Sequence, residues 1–170
     1  HRRPYSREGR QVSQKPQGLS AKPAGAAAAA ILLAGGVAMH FEGLSLTGYA
    51  DPIAIPTACW GHTGDGVTVG KRYTLGQCEA WRDADLLEAA QAVDKCIYPP
   101  MTVNQWAALT SFTFNVGGGA FCKSTLAKKA NAGDWKGACA ELSRWVYAGG
   151  IRFNGLIKRR AAERALCEKP

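Results

Sequence analysis

The sequence predicts an α+β fold, mostly α, in which a small antiparallel sheet precedes a set of helices. Three observations carry that expectation. A chain of 170 residues, 46% hydrophobic and 20% charged, has material for one good core and is short for two. Between Gly43 and Gly70, glycine and proline punctuate β-branched and aromatic residues, which is strand-and-turn chemistry. Beyond it, "TLGQ" at Thr74–Gln77 and "TVNQ" at Thr102–Gln105 each place a glutamine three residues after a threonine, the form of a capping box that opens a helix. Strands first and helices afterwards is the α+β order.

The first 22 residues carry Arg2, Arg3, Arg7, Arg10, Lys15 and Lys22 against Glu8, which is +5 of the chain's net +8. They have no apolar period and read as a basic flexible tail. The rest is only mildly basic, and the tail's one aromatic is Tyr5, so nucleic acid is not an expected partner. From Pro23 to Phe41 there is no Asp, Glu, Lys or Arg. As a helix this segment spans about 28 Å, close to the roughly 30 Å of a bilayer core. Eight alanines and three glycines keep it only weakly apolar. Its Ile31, Leu32, Leu33, Val37 and Phe41 favour insertion by about 1.5 to 3 kcal/mol together. Residues 23–41 therefore read as a loosely held membrane segment whose N-terminus the basic tail keeps in the cytoplasm. The rival reading is the first helix of a soluble protein. Residues 42–170 form the main domain.

A small sheet is expected over residues 44–70. The helix from Thr102 runs through Trp106, Leu109 and Phe112 and stops at Gly117–Gly119. In "DWKGACAELSRWVYAGG", Asp134 caps a helix whose apolar residues from Trp135 to Val146 fall at helical spacing, and Gly149 and Gly150 end it. Shorter helices are expected near 124–132 and 155–168. The six cysteines (Cys59, Cys78, Cys96, Cys122, Cys139, Cys167) include no CxxC pair, so no metal site is expected. An even count points to disulfides formed in an oxidising compartment, with fifteen possible pairings.

Glu42 ends the apolar run and is followed by Gly43. The carbonyl end of a helix and apolar surroundings both favour the protonated carboxyl, which is what a general acid must be. Asp51 lies in a polar turn closed by Pro52 and is expected to stay ionised. Two carboxyls in opposed environments suit glycoside hydrolysis, which needs them about 5 to 10 Å apart. Gly43 and Gly48 let the chain between them fold back. Thr57, six residues further on, brings a hydroxyl that holds a water.

The spacing of Glu42, Asp51 and Thr57, followed by "WGHT", resembles the catalytic signature of the phage-type lysozymes, glycoside hydrolase family 24. The likeness continues through "FTFNVGGGAF", "STLAKKANAGDW", "SRWVYAGG" and "GLIKRRAAER" in family order, over about residues 31–170. It implies a lysozyme-like fold with a small antiparallel β lobe and a larger helical lobe. The implied activity is a muramidase that cleaves the β-1,4 bond between N-acetylmuramic acid and N-acetylglucosamine in peptidoglycan, with inversion and without metal or cofactor, degrading the wall for host lysis. Glu42 is the implied general acid, Asp51 the second carboxylate, and Thr57 the residue that positions water. Phe114, Asn115 and Arg144 are the implied sugar-cleft residues. His62 is read as structural, paired with a carboxylate, and Lys158, Arg159 and Arg160 as a helix face turned toward the anionic wall. The other function class is a non-hydrolytic peptidoglycan- or chitin-binding protein of the same fold.

The chain also resembles the signal-arrest-release endolysins of lambdoid phages. That implies export to the periplasm, tethering to the bacterial inner membrane through residues 23–41, and release as a monomer when the membrane potential is lost. The alternative is residence in the host cytoplasm until a pore forms. The expected disulfides are Cys59–Cys78, Cys96–Cys122 and Cys139–Cys167.

Overall fold

A computed structural model describes residues 24–170, so the tail expected over residues 1–22, and Pro23, lie outside the described residues. The first helix, α1 (Ala24–Phe41), is built on alanine. Ala30, Ala34 and Ala38, spaced four apart, are at most 2% exposed. Ala30 and Ala34 join the main core, and the helix packs chiefly on α3 (Val103–Val116). Small side chains let the helices approach closely. At Gly35 an added Cβ would meet Leu86 of α2 (Leu75–Cys96) at 3.1 Å. Leu32 and Leu33, between the alanines, face outward at 77% and 44% exposure. Ala34→Leu is expected to destabilise the fold by about 1 to 3 kcal/mol through overpacking, whereas Leu32→Gln should stay within about 0.5 kcal/mol. Thermal unfolding of the two variants checks this.

Both expected capping boxes form in full. The Thr74 and Thr102 hydroxyls accept from the backbone N–H of Gln77 and Gln105, whose side chains accept from the threonine N–H groups. In α3 every residue from Trp106 to Thr113 is buried, which makes it the central helix. Around it stand α4 (Gly118–Lys123), α5 (Thr125–Asn131), α6 (Trp135–Glu141) and α7 (Asn154–Cys167).

One expectation holds and one fails in this lobe. Gly117, at φ 87°, ends α3 as expected, and Gly118 and Gly119 then open α4. The helix capped by Asp134 ends at Glu141, a 3-10 turn covers Leu142–Arg144, and a hairpin follows, β4 (Tyr147–Ala148) with β5 (Ile151–Arg152). Gly149 and Gly150, at φ 57° and 77°, are its turn and not a helix stop. Two successive positive φ values are what a two-residue hairpin of type I′ needs. The apolar spacing misleads because Trp145 and Val146 still pack inward after the helix has ended.

The small sheet has order β1 (Ser45–Ala50), β2 (Pro56–Cys59), β3 (His62–Thr63), all antiparallel. It is shorter than the expected 44–70, the remainder being turns with one isolated bridge, Thr47 to Arg72. Gly48 is required there, because a Cβ would lie 2.1 Å from the Thr68 carbonyl oxygen. A second, smaller core of Ala58, Cys59, Val67, Tyr73 and Cys78 sits under the sheet. The disulfides pair as expected: Cys59–Cys78 ties the sheet to α2, Cys96–Cys122 ties α2 to α4, and Cys139–Cys167 ties α6 to α7.

Candidate active site

A groove of about 520 Å³ runs between the sheet and the helices. Its walls include Glu42, Trp60, Gly61, Glu88, Phe114 and Asn115. Glu42 and Asn115 also border a second hollow of about 350 Å³ with Phe41, Phe153, Leu156 and Arg159, so the concavity continues past Glu42 toward α7.

Glu42 extends the ladder of α1 by one residue, its N–H donating to the Ala38 carbonyl at 2.9 Å. Its surroundings differ from the apolar ones expected. Arg159 donates from Nη1 to Glu42 Oε1 at 2.5 Å. The other oxygen, Oε2, faces Gly61, where a Cβ would lie 3.6 Å away. One carboxylate oxygen is thus held by a guanidinium and the other looks across the groove.

Asp51 and Thr57 are held on the backbone of one residue, Ile55. In the β1–β2 loop, Asp51 Oδ1 accepts from the N–H groups of Ile53 and Ile55 at 2.9 and 2.8 Å. The Thr57 hydroxyl, in a residue only 4% exposed, donates to the Ile55 carbonyl at 3.0 Å. Neither side chain belongs to the wall of the 520 Å³ groove. Thr57 stands on the sheet that supplies that wall and Asp51 on the loop that joins its first two strands: Thr57 pairs with Thr63 of β3, and Thr63, Trp60 and Gly61 line the groove.

Phe114 and Asn115 lie in the groove wall, and Phe114 also packs against the main core. Asn115 Oδ1 accepts from Arg160 Nη2. Arg144 stands elsewhere, in a separate depression with Thr125, Glu141, Trp145 and Tyr147. It is three-quarters exposed and 3.4 Å from Glu141 Oε2. The Glu141 carboxyl is held below its usual range chiefly by Lys129, which donates to Oε1 at 2.7 Å, against the opposing effect of burial. His62 pairs through Nδ1 with Asp85 Oδ2 at 2.7 Å and stacks on Trp81 with centroids 4.4 Å apart, as its structural reading requires. Among the described residues no group of three or more His, Cys, Asp or Glu has the arrangement of a metal site.

The basic run of α7 overturns its sequence reading. Lys158 is exposed, but Arg159 and Arg160 are each 2% exposed and point into the protein. Sequence reasoning thereby missed Arg159, the side chain that holds Glu42 among the described residues. A signal was present: Glu163 lies four residues after Arg159 and three after Arg160, the spacings at which opposite charges pair on a helix.

The site therefore offers a carboxyl group in the groove, backed by a buried cation, and a second carboxylate fixed by peptide N–H groups on the adjoining sheet. That is equipment for acid–base hydrolysis. Comparison with known proteins agrees. The phage lysozyme family model matches residues 39–163. A SAR-endolysin of Bacteriophage PS119 is 43% identical over 126 residues, covering 74% of this chain and 75% of that protein. Among solved structures, the endolysin from Escherichia coli O157:H7 phage FAHEc1 is 34% identical with a TM-score of 0.72, over 81% of this chain and 91% of that one. The muramidase domain of SpmX from Asticaccaulis excentricus is 31% identical with a TM-score of 0.74, over 81% of this chain and 95% of that one.

Proposed function

The chain belongs to the phage lysozyme family and is a lytic muramidase, a lysozyme-type glycoside hydrolase acting on peptidoglycan, and from that premise we propose that Glu42, Asp51 and Thr57 carry the reaction. Glu42 gives its proton to the oxygen of the β-1,4 bond between N-acetylmuramic acid and N-acetylglucosamine as that bond breaks. A water, oriented by Thr57 and deprotonated by Asp51, attacks the anomeric carbon from the opposite face, so the configuration inverts. The observation that carries this reading is the pairing of Glu42 with Arg159. Because Arg159 occupies Oε1, the acid proton belongs on Oε2, the oxygen that faces Gly61. As the proton leaves, the guanidinium stabilises the carboxylate that forms, an interaction stronger in the transition state than before it. Phe114 and Asn115 contact the sugar, while Arg144, in its own depression, takes no part in the groove. The phage lysozyme family match and the endolysin and muramidase relatives favour this hydrolytic reading over a non-hydrolytic binder.

Turbidity loss of a cell-wall suspension tests the acid, with Glu42→Gln as the comparison; equal clearance by both proteins overturns it. The anomer released first, read by proton NMR, tests the stereochemistry. The α-anomer first means inversion, and the β-anomer first means retention.

The same proposal covers the N-terminus. Residues 23–41 tether the exported chain to the inner membrane in an inactive state, release brings the monomer into the periplasm, and residues 42–170 are the catalytic domain. In support, the segment is uncharged and alanine-rich, and a relative 43% identical is a SAR-endolysin. Among the described residues no helix is long and apolar enough to cross a membrane. While residues 24–41 lie in lipid, Ala30 and Ala34 have no contact with α3, and Glu42 cannot reach Arg159. Fractionation of expressing cells before and after a protonophore should show the protein moving from membrane to soluble fraction. A protein soluble from the outset refutes the tether.

A further inference from the structure

Glu163 touches neither groove, yet it is 0% exposed and joins both walls of the site. Its Oε1 accepts from Arg159 Nε at 3.0 Å and from the Ser111 hydroxyl at 2.8 Å, and its Oε2 accepts from Arg160 Nη1 at 2.7 Å. Each arginine has a second engagement. Arg159 donates to Glu42 Oε1 and to the Ser111 carbonyl at 3.1 Å. Arg160 donates to the Trp145 carbonyl at 3.0 Å and to Asn115 Oδ1, with its guanidinium 4.7 Å from the Phe112 ring centre.

We propose that Glu163 is a positioning residue for the hydrolysis: through Arg159 it orients Glu42, and through Arg160 it orients Asn115. The inference rests on the reading of Glu42 as the acid.

The physical reason is that a buried guanidinium must place its donors somewhere. Arg159 and Arg160 are adjacent on α7, buried and of like charge, and without a carboxylate between them they repel. Burial pushes the Arg160 guanidinium below its usual range, and Glu163 is the main influence pulling it back up. By taking Arg159 Nε and Arg160 Nη1 on separate oxygens, Glu163 fixes the planes of both forks, which leaves Arg159 Nη1 aimed at Glu42 and Arg160 Nη2 aimed at Asn115. Simple core polarity would need neither outward contact.

The charges that face this cluster are few. Arg159, Arg160 and Glu163 come from α7; α3 supplies the Ser111 hydroxyl and carbonyl and the Asn115 amide; the turn before β4 supplies the Trp145 carbonyl. Across the groove stand Asp85 and Glu88 of α2. With Glu42 ionised, two carboxylates face two cations; with Glu163 neutral, one carboxylate faces two. A proton on Glu42 then adds to an uncompensated positive charge, so activity should fail at lower pH on the alkaline side.

The test uses the full chain, with kcat, KM and the pH profile of kcat/KM measured on solubilised uncross-linked glycan strands, below the melting temperature of each variant. Glu163→Gln is expected to lower kcat about 10- to 100-fold, as loss of a supporting contact does, and to raise KM. It should also move the alkaline limb down by about one pH unit, through the lost charge. Glu163→Asp, which keeps the charge but shortens the reach, should lower kcat and leave that limb in place. A folded Glu163→Gln protein with wild-type kcat, KM and pH profile, changed only in melting temperature, overturns the proposal. If Glu163→Gln does not fold, Ser111→Ala decides: it removes one donor to Glu163 Oε1 without changing charge, and an unaltered kcat overturns the proposal equally. Glu42→Gln is assayed alongside. Wild-type activity in that variant defeats the reading of Glu42 itself, whereas a dead Glu42→Gln beside a fully active Glu163→Gln defeats only the role given to Glu163.

Discussion

Glu42→Gln is expected to reduce wall clearance by about a hundred- to ten-thousandfold, the range typical of losing a positioned general acid. The substitution is nearly isosteric, so the geometry around Arg159 should survive. An amide oxygen accepts from Arg159 Nη1 as Oε1 does, which turns the NH₂ group toward Gly61. That group has no acidic proton for a leaving oxygen, and no carboxylate forms for Arg159 to stabilise. Folding should suffer less than activity. Arg159 loses one charged acceptor but keeps Glu163 and the Ser111 carbonyl, so the cost is about 1 to 3 kcal/mol. The assay therefore runs well below the variant's melting temperature, with the folded fraction read by circular dichroism. Asp51→Asn should lose activity on a similar scale without touching Arg159, so its stability should change less. A folded Glu42→Gln protein that clears walls at the wild-type rate puts the acid elsewhere.

What the sequence reveals of the fold follows the range of each interaction. Capping boxes are readable because donor and acceptor lie three residues apart, and both Thr74 and Thr102 close as their spacing predicts. The first helix is readable from composition, and its buried seam of Ala30, Ala34 and Ala38 follows the helical period. The end of the helix begun by Asp134 is not readable in this way. From Leu142 to Val146 the apolar residues keep facing the core, so burial continues after the helical hydrogen bonds have stopped, and periodicity reports burial. Only the pair Gly149–Gly150 marks the change, and a glycine pair serves a helix stop and a tight hairpin equally well until its φ values are known.

The site divides along the same line. Asp51 and Thr57 lie on one hairpin and are bound to the N–H and the carbonyl of the same residue, Ile55, so their short spacing already holds their relation. The environment of Glu42 is supplied by Arg159, 117 residues away in sequence, and nothing local to Glu42 announces it. An apolar segment ending in a glutamate suggests a carboxyl kept neutral by burial; the structure instead puts a buried cation against it, itself balanced by Glu163. Arg144 lies in a depression of its own with Glu141 and Tyr147, a placement that its position inside a matching motif did not indicate.

Reduction of the disulfides is expected to have the largest effect on stability. The three bridges span 19, 26 and 28 residues. Chain-entropy arguments assign each about 3 kcal/mol and the set roughly 10 kcal/mol, comparable with the whole stability of an ordinary domain. For a chain of this size, that corresponds to a fall in melting temperature of about 20 °C or more. The loss should not be uniform. The helical lobe has a large core around α3, whereas the core under the sheet has five buried residues, two of which are Cys59 and Cys78 themselves. Removing that one bridge takes from the β lobe both a cross-link to α2 and a good part of its interior. Replacing Cys59 and Cys78 together by alanine should therefore abolish activity while most of the far-ultraviolet helical signal persists, because Asp51, Thr57, Trp60 and Gly61 all stand on the lobe that loosens. Amide exchange should accelerate first in β1–β3 and last in α3. A double variant that keeps both its melting temperature and its rate of wall clearance refutes the dependence of the β lobe on this bridge.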